Sequence, residues 1–170
     1  MEHDLSKVTR QDRAIYAEEW IVDFLQRAQV GTVSTAVLME DGAPQPFANP
    51  LLFVYHPGRR AIYVHKGRRG RLWENAQVNA RVCFSAFEMG RLLPADTALN
   101  FSVEYQSVVA FGTICLVEDA QEAEESLQML LDKYFPALKP GQDYRPITAG
   151  ERDVTAVFRI DVSEWSGKKK

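Results

Sequence analysis

Residues 59–73 of the chain read RRAIYVHKGRRGRLW. The apolar run at 61–64 predicts a short strand that ends at His65, and the two glycines that follow predict a turn. A helix is then expected to begin near Arg71. Six of the 13 residues from 59 to 71 are basic and none is acidic. Because glycines allow close backbone approach and helix N-termini attract anions, this stretch predicts a phosphate-binding site.

The composition of the rest of the chain bounds its fold and its location. The 170 residues carry a net charge of −3, and 46% of them are hydrophobic, which is typical of one globular domain. We therefore expect a single domain over 1–170, with a flexible N-terminus at 1–13 and a C-terminal tail at 163–170. The sequence has neither an apolar run near membrane-spanning length nor the features of a signal peptide. We expect a cytoplasmic protein that does not bind membranes.

Several kinds of site are disfavoured by the residue pattern. Cys83 and Cys115 lie in apolar runs, so two buried thiols are favoured over a disulfide. Cysteine and histidine do not recur at metal-ligand spacing, so we expect no metal. The overall acidity opposes nucleic-acid binding through the basic stretch, and no aromatic recognition motif accompanies it.

The hydrophobic pattern predicts a mainly β fold. Strands are expected at residues 30–39, 46–55, 61–64, 80–87, 101–117 and 154–162, and helices at 16–28, 71–76 and 119–134. Asp41 and Gly42 predict a hairpin turn, Pro50 predicts an edge position or a bulge, and Gly112 predicts a bend. Residues 88–100 are expected to form a loop that serves function or an interface. The prediction is an antiparallel six-stranded barrel with peripheral helices.

The order and spacing of four segments resemble a known family. The segments are 62–65 with its glycine- and arginine-rich helix start, 79–84, 105–112 and the closing segment 165–168. Together with the mid-strand proline, they resemble the FMN-binding split barrel of pyridoxamine-phosphate oxidase-like proteins, over about residues 20–168. The Tyr-x-Ser-Val-x-x-x-Gly segment that begins at Tyr105 and the strand-end His65 resemble the branch of nitroimidazole-resistance proteins.

This resemblance implies a cofactor site. FMN would lie between the two subunits of a homodimer. The phosphate would be held by Lys66, Arg68, Arg69, Gly70 and Arg71. The ring system would lie along Asn49, Pro50, Leu51 and Leu52, with His65 near its redox-active face. The partner subunit would contribute Tyr105, Ser107, Trp165 and Lys168.

The chain also departs from the family pattern. We find no set of residues that would bind a vitamin phosphate as substrate, so pyridoxamine-phosphate oxidase activity is the less favoured alternative. A third glycine expected near Lys66 in some family members is absent, and Lys66 itself is unusual there. A deazaflavin or haem therefore stays an alternative cofactor.

The resemblance and the chemistry of the residues together predict an oxidoreductase. Flavin would transfer electrons to a small electron-poor compound, and a nitroimidazole-type drug is one candidate, as in resistance or detoxification. His65 could deliver a proton to the reduced product, because histidine titrates near neutrality. A module that binds flavin or haem without turnover is the competing interpretation.

Overall fold

The computed structural model describes residues 4–170, and it contains eight strands and four α-helices in that range. The strands are β1 (Ala14–Ile15), β2 (Gly31–Leu38), β3 (Pro44–Leu51), β4 (Val54–His56), β5 (Ala61–Gly67), β6 (Arg81–Leu93), β7 (Ser102–Leu116) and β8 (Thr155–Lys169). The α-helices are α1 (Glu18–Arg27), α2 (Arg71–Val78), α3 (Ala120–Tyr134) and α4 (Ala149–Val154).

All strands belong to one antiparallel sheet with the order β3-β2-β6-β7-β8-β5-β4, and β1 pairs with β8. The mainly β, antiparallel prediction is confirmed, but the sheet has eight strands where six were predicted, and it does not close into a barrel. The segment predicted as one strand at 46–55 divides at Leu52, because β3 pairs with β2 whereas β4 pairs with β5. β3 and β4 thus form the two ends of the sheet, and the sheet stays open.

The prolines of β3 explain why it is an edge strand. Pro44, Pro46 and Pro50 occupy alternate positions of the strand. At these positions a backbone N–H would point away from β2, so proline removes no hydrogen bond between the strands. The residues between the prolines form the hydrogen bonds with β2. The edge position predicted from Pro50 is confirmed.

Three segments are more ordered than the sequence pattern indicates. β8 continues to Lys169, so residues 163–169 are strand and not a solvated tail. β6 continues to Leu93 and pairs with β7, so the first half of the loop predicted at 88–100 is part of a hairpin. The pairing register shifts between Met89 and Leu92. Near the N-terminus, Val8 is only 3% exposed, and a 3-10 helix spans Gln11–Arg13. Residues 1–3 of the predicted flexible terminus lie outside the described range.

Two apolar clusters lie on opposite faces of the sheet. The larger one packs α1 and α2 against the face that we call inner, which carries Ile62 and Val64 of β5. The smaller one packs α3 against the opposite, outer face, which carries Ala61 and Tyr63 of the same strand. Side chains of a strand alternate between the two faces, so the residues of β5 that follow Val64 point in turn to the outer face and to the inner face.

Candidate functional site

The end of β5 places two predicted site residues on opposite faces. His65 pairs with Val157 and shares the outer face with Tyr63, whereas Lys66 pairs with Ala156 and shares the inner face with Val64. The basic turn, which we define as residues 66–71, begins between these two environments.

Gly70 sets the geometry of the basic turn. It has φ 96° and ψ 174°, a conformation that side-chain-bearing residues rarely adopt, and it is the N-cap of α2. No side chain caps this helix, so the first N–H groups of α2 have no side-chain acceptor. A Cβ built at Gly67 or at Gly70 meets no atom within 4 Å, so the backbone faces open space. The turn therefore has the features of an anion-binding site.

Ion pairing divides the basic stretch into two parts. Arg59 pairs with Glu122 and Glu125, and Arg60 pairs with Glu18, so these two charges are compensated. Within the described residues 4–170, no carboxylate forms a salt bridge with any cation of the basic turn; these cations are Lys66, Arg68, Arg69 and Arg71. The turn thus keeps its positive charge available for a ligand.

The arginines of the turn have different surroundings. The Arg71 guanidinium lies 5.7 Å from the ring centre of Phe47 on β3. Arg68 instead lines a crevice that also contains Glu118 and Asp153. The structure therefore places Arg71, but not Arg68, next to the strand predicted to hold the flavin ring. Arg69 is exposed.

The predicted ring-binding strand presents residues on both faces. Asn49 pairs with Val33 and is 9% exposed, whereas Pro50 is exposed at the sheet edge. The Asn49 amide nitrogen Nδ2 is buried, and no acceptor lies within hydrogen-bond distance of it among the described residues. Because a buried donor without an acceptor is destabilising, Nδ2 is a candidate to donate to a bound ligand. Leu51 packs against the inner cluster, and Leu52 is 47% exposed.

His65 lines a cavity of about 410 Å³ together with side chains of Leu52 and α3. His65 is an exposed residue, but partial desolvation by the surrounding protein lowers the pKa of its imidazole below the ordinary value of 6.5, so the ring is mainly neutral at pH 7. The other described histidine, His56, is the last residue of β4. Its Nδ1 accepts a hydrogen bond from the Arg59 N–H at 3.2 Å.

Three of the residues predicted to come from a partner subunit lie together on the outer face of β7 and β8. Ser107 pairs with Lys168, and Tyr105 stacks on Phe87 with ring centres 6.0 Å apart. Trp165 is separate from them. It is 8% exposed on the inner side, next to Tyr55 and under the guanidinium of Arg60, which lies 3.9 Å from the Trp165 ring centre.

This partner-face group lies far from the basic turn of the same chain. Gly67, at the start of the turn, pairs with Thr155 at the beginning of β8, whereas Ser107 pairs with Lys168 near the end of β8. Almost the whole length of a 15-residue strand separates the two halves of the predicted site. One chain alone therefore does not bring them together.

Lys133 and Tyr134, at the end of α3, were missed by the sequence analysis. The Lys133 ammonium donates to the carbonyl oxygens of Phe53 at 3.0 Å and Leu25 at 3.3 Å. Burial lowers the pKa of Lys133 to about 8. In the sequence Lys133 looks like an ordinary basic residue in the last turn of a helix, so no local signal distinguishes it.

Among the described helices, none has both the length and the apolar character needed to cross a membrane. No curated protein matches the chain significantly.

The fold has relatives among solved structures. The flavocytochrome Anf3 from Azotobacter vinelandii is 27% identical, with a TM-score of 0.80; the match covers 99% of this chain and 74% of that chain. The FAD and haem binding protein from Mycobacterium smegmatis is 22% identical with a TM-score of 0.77 and coverages of 93% and 73%. A candidate 5-nitroimidazole antibiotic resistance protein from Bacteroides thetaiotaomicron is 20% identical with a TM-score of 0.72 and coverages of 92% and 86%.

The sequence profile of one family covers nearly the whole chain. It is described as pyridoxamine 5'-phosphate oxidase and matches residues 17–169. The match begins just before α1 and ends with the last residue of β8, so it includes the basic turn, β3 and the partner-face group. The chain belongs to the pyridoxamine 5'-phosphate oxidase family.

Proposed function

We propose that this protein is a flavoprotein that holds the phosphate of FMN at the basic turn. The observation that carries the proposal is a set of four cations that form no salt bridge within residues 4–170, beside the uncapped start of α2. A phosphate dianion suits this arrangement, since arginine and backbone N–H groups both donate to its oxygens. The position of Arg71 beside Phe47 directs the remainder of the ligand toward β3.

Two further observations support a flavin on that side. The buried Asn49 Nδ2 offers a donor to a ligand with carbonyl oxygen or ring nitrogen acceptors. Two of the structural neighbours carry flavin in their descriptions, one as a flavocytochrome and one as an FAD and haem binding protein. FMN is the expected flavin because it ends in a phosphate group, which the basic turn would bind.

The site is completed by a second copy of the chain. The separation of the basic turn from the partner-face group along β8 is the supporting observation. The outer face of β2, β6 and β7 lies outside both apolar clusters and carries the small residues Thr32, Ser85 and Val109 in one row. Phe87, 58% exposed, adjoins this row. A homodimer through this face would bury it and add Tyr105, Ser107 and Lys168 to the partner's basic turn.

The activity is the reduction of a small electron-poor compound, with a nitroimidazole as one candidate. When bound, flavin supplies the electron or hydride transfer. The cations of the basic turn stabilise nearby negative charge, which favours the reduced, anionic form of the flavin. His65 orients the compound through its ring nitrogens, and in its protonated fraction it donates a proton to the product.

The test is a set of titrations of flavin-free protein with FMN, FAD and riboflavin, followed by fluorescence. We expect FMN to bind at least about tenfold more tightly than riboflavin, because one charge-assisted contact contributes roughly 1.5–3 kcal/mol. Equal affinity for FMN and riboflavin contradicts the phosphate site. A Soret band in the purified protein, or an absorbance typical of deazaflavin, would identify one of the alternative cofactors. Light scattering of the FMN-loaded protein should give a dimer mass, and a monomer contradicts the two-subunit site.

Turnover is tested with pre-reduced protein and a nitroimidazole under anaerobic conditions. We expect His65→Ala to retain FMN and to lose about 10²–10⁴-fold in rate if His65 acts as a general acid. His65→Gln keeps a hydrogen bond but not the acid, so it separates orientation from proton donation. A parent protein that reduces neither nitro compounds nor quinones supports the interpretation as a binding module.

A further inference from the structure

A cavity of about 410 Å³ lies between the end of β5 and α3 on the outer face. This volume lies within the range of small-molecule pockets, and such pockets combine apolar walls with a few polar groups. The apolar part of the wall comes from Leu52, Leu127, Leu130, Leu131, Phe135 and Ile147. His65 and Tyr144 are polar groups of the same wall.

The cavity carries no uncompensated charge. Arg145 Nη2 lies 2.8 Å from Glu151 Oε1, so the only arginine of the wall is already paired. Glu151 also accepts from the Thr148 N–H at 2.8 Å, which fixes its carboxylate. Partial desolvation lowers the pKa of the His65 imidazole, so this ring is mainly neutral at pH 7. A charged ligand would have to displace the Arg145–Glu151 pair, whereas a neutral one would not.

Two neutral groups of the wall have free hydrogen-bonding capacity. No described side chain forms a hydrogen bond with the His65 imidazole. The Tyr144 hydroxyl accepts from Gln128 Nε2 at 2.9 Å, and its own proton has no acceptor among residues 4–170. Both groups can therefore donate to oxygen atoms of a ligand that lies between the leucines.

We propose that this cavity binds the compound that the flavoprotein reduces, and that the compound is a neutral, flat ring with oxygen acceptors, such as a nitroaromatic compound or a quinone. The inference rests on the proposed function. Two cavity residues are also among those assigned to the flavin: Leu52 directly follows β3, and His65 directly precedes the basic turn. The wall favours a neutral compound over a phosphorylated vitamin, because its arginine is already paired with Glu151.

The ligand class is tested with two fluorescent probes that differ by one sulfonate. N-phenyl-1-naphthylamine is neutral, and 8-anilinonaphthalene-1-sulfonate is anionic. We expect the neutral probe to bind to the FMN-loaded, oxidised protein, to be displaced by the neutral quinone menadione, and to bind at least about tenfold more tightly than the sulfonate. Equal or tighter binding of the sulfonate overturns the neutral-ligand assignment.

The location is tested by filling the cavity. Leu131→Trp should weaken neutral-probe and menadione binding by at least about tenfold and leave FMN affinity unchanged. Leu99→Trp is the matched control, since Leu99 is 92% exposed and is not part of the cavity wall. Unchanged menadione affinity in folded Leu131→Trp overturns the location. If circular dichroism shows that Leu131→Trp does not fold, Leu127→Phe provides the same comparison.

Hydrogen bonding is tested separately from shape. Tyr144→Phe should weaken menadione binding about 3–30-fold while leaving the neutral amine probe unaffected, because only the quinone offers carbonyl acceptors. An equal loss for both ligands contradicts a hydrogen bond from Tyr144. Repeating the titrations without FMN distinguishes the two proposals: menadione binding that Leu131→Trp abolishes in a protein unable to bind flavin supports the cavity and refutes the flavoprotein.

Discussion

The Tyr134 hydroxyl lies 3.0 Å from the backbone N–H nitrogen of Phe53 and accepts its hydrogen bond. The same hydroxyl donates to the carbonyl oxygen of Gln29 at 2.7 Å. Lys133, the preceding residue, donates to the Phe53 carbonyl and lies 3.9 Å from the Phe53 ring centre. Phe53 stands where the chain passes from β3 to β4. The end of α3 therefore fixes the position of the segment that separates β3 from β4.

Removing the Tyr134 hydroxyl should destabilise the protein. Tyr134→Phe leaves the Phe53 N–H and the Gln29 carbonyl without this partner, and a cost of about 1–3 kcal/mol in unfolding free energy is expected. Urea denaturation measures it. Tyr144→Phe is the control, because among the described residues that hydroxyl has one hydrogen-bond partner, the Gln128 side chain. A loss no greater than that of the control would show that water replaces the Tyr134 contacts.

The half-buried Lys133 should make the free energy of unfolding depend on pH in the alkaline range. Burial lowers its folded-state pKa from 10.5 to about 8. Between these values the unfolded chain binds more protons, so the free energy of unfolding should rise as pH increases from about 8 to 10.5. Because water partly reaches the ammonium, we expect a gain of about 1–2 kcal/mol.

Lys133→Met should remove this rise, and Lys139→Met should retain it, since Lys139 is exposed. The measurement is the difference in unfolding free energy between the parent and each variant across the pH range, which cancels the titration of other groups. A parallel profile for the parent and Lys133→Met would contradict the assignment to Lys133.

Substitution by alanine should change the stability of the protein differently at Gly70 and at Gly67. Both positions have open space for a Cβ, but only Gly70 has a positive φ, of 96°. Gly70→Ala should therefore cost about 1–3 kcal/mol in stability. Gly67→Ala should be close to neutral, because its backbone conformation is open to other residues. Thermal or urea unfolding of the two variants measures the contrast, and equal losses would point to the turn sequence instead of the backbone angle.

The two arginines of the basic turn should differ in their effect on FMN. Arg71→Ala should weaken FMN binding by about 10–150-fold and leave riboflavin nearly unchanged, as expected for loss of one charge-assisted phosphate contact. Arg68→Ala removes the same charge from a side chain that lies by Glu118 and Asp153, and its effect should be several times smaller. Fluorescence titration with both ligands provides the measurement. A larger effect of Arg68 would place the phosphate on the α3 side of the turn.

The local sequence determined several parts of this protein. The Asp41-Gly42 turn, the edge position of β3 and the helix start after Gly70 follow from the conformations that a few neighbouring residues allow. The strand predicted at 61–64 is also present, but β5 continues past His65 to Gly67. The family resemblance was also visible in sequence order, because its segments recur at the expected spacing. The profile match over 17–169 confirms it.

Other features were decided only by tertiary structure. The division of one predicted strand into β3 and β4 depends on pairing with β2 and β5, which lie in different parts of the chain. Strand pairing also decided which face each side chain of the basic stretch reaches, and hence that His65 meets α3 while Arg71 meets Phe47. The burial of Lys133 depends on carbonyl groups 80 and 108 residues away in sequence. Local patterns specify the conformation of a segment, but the environment of a side chain depends on which distant segments pack against it.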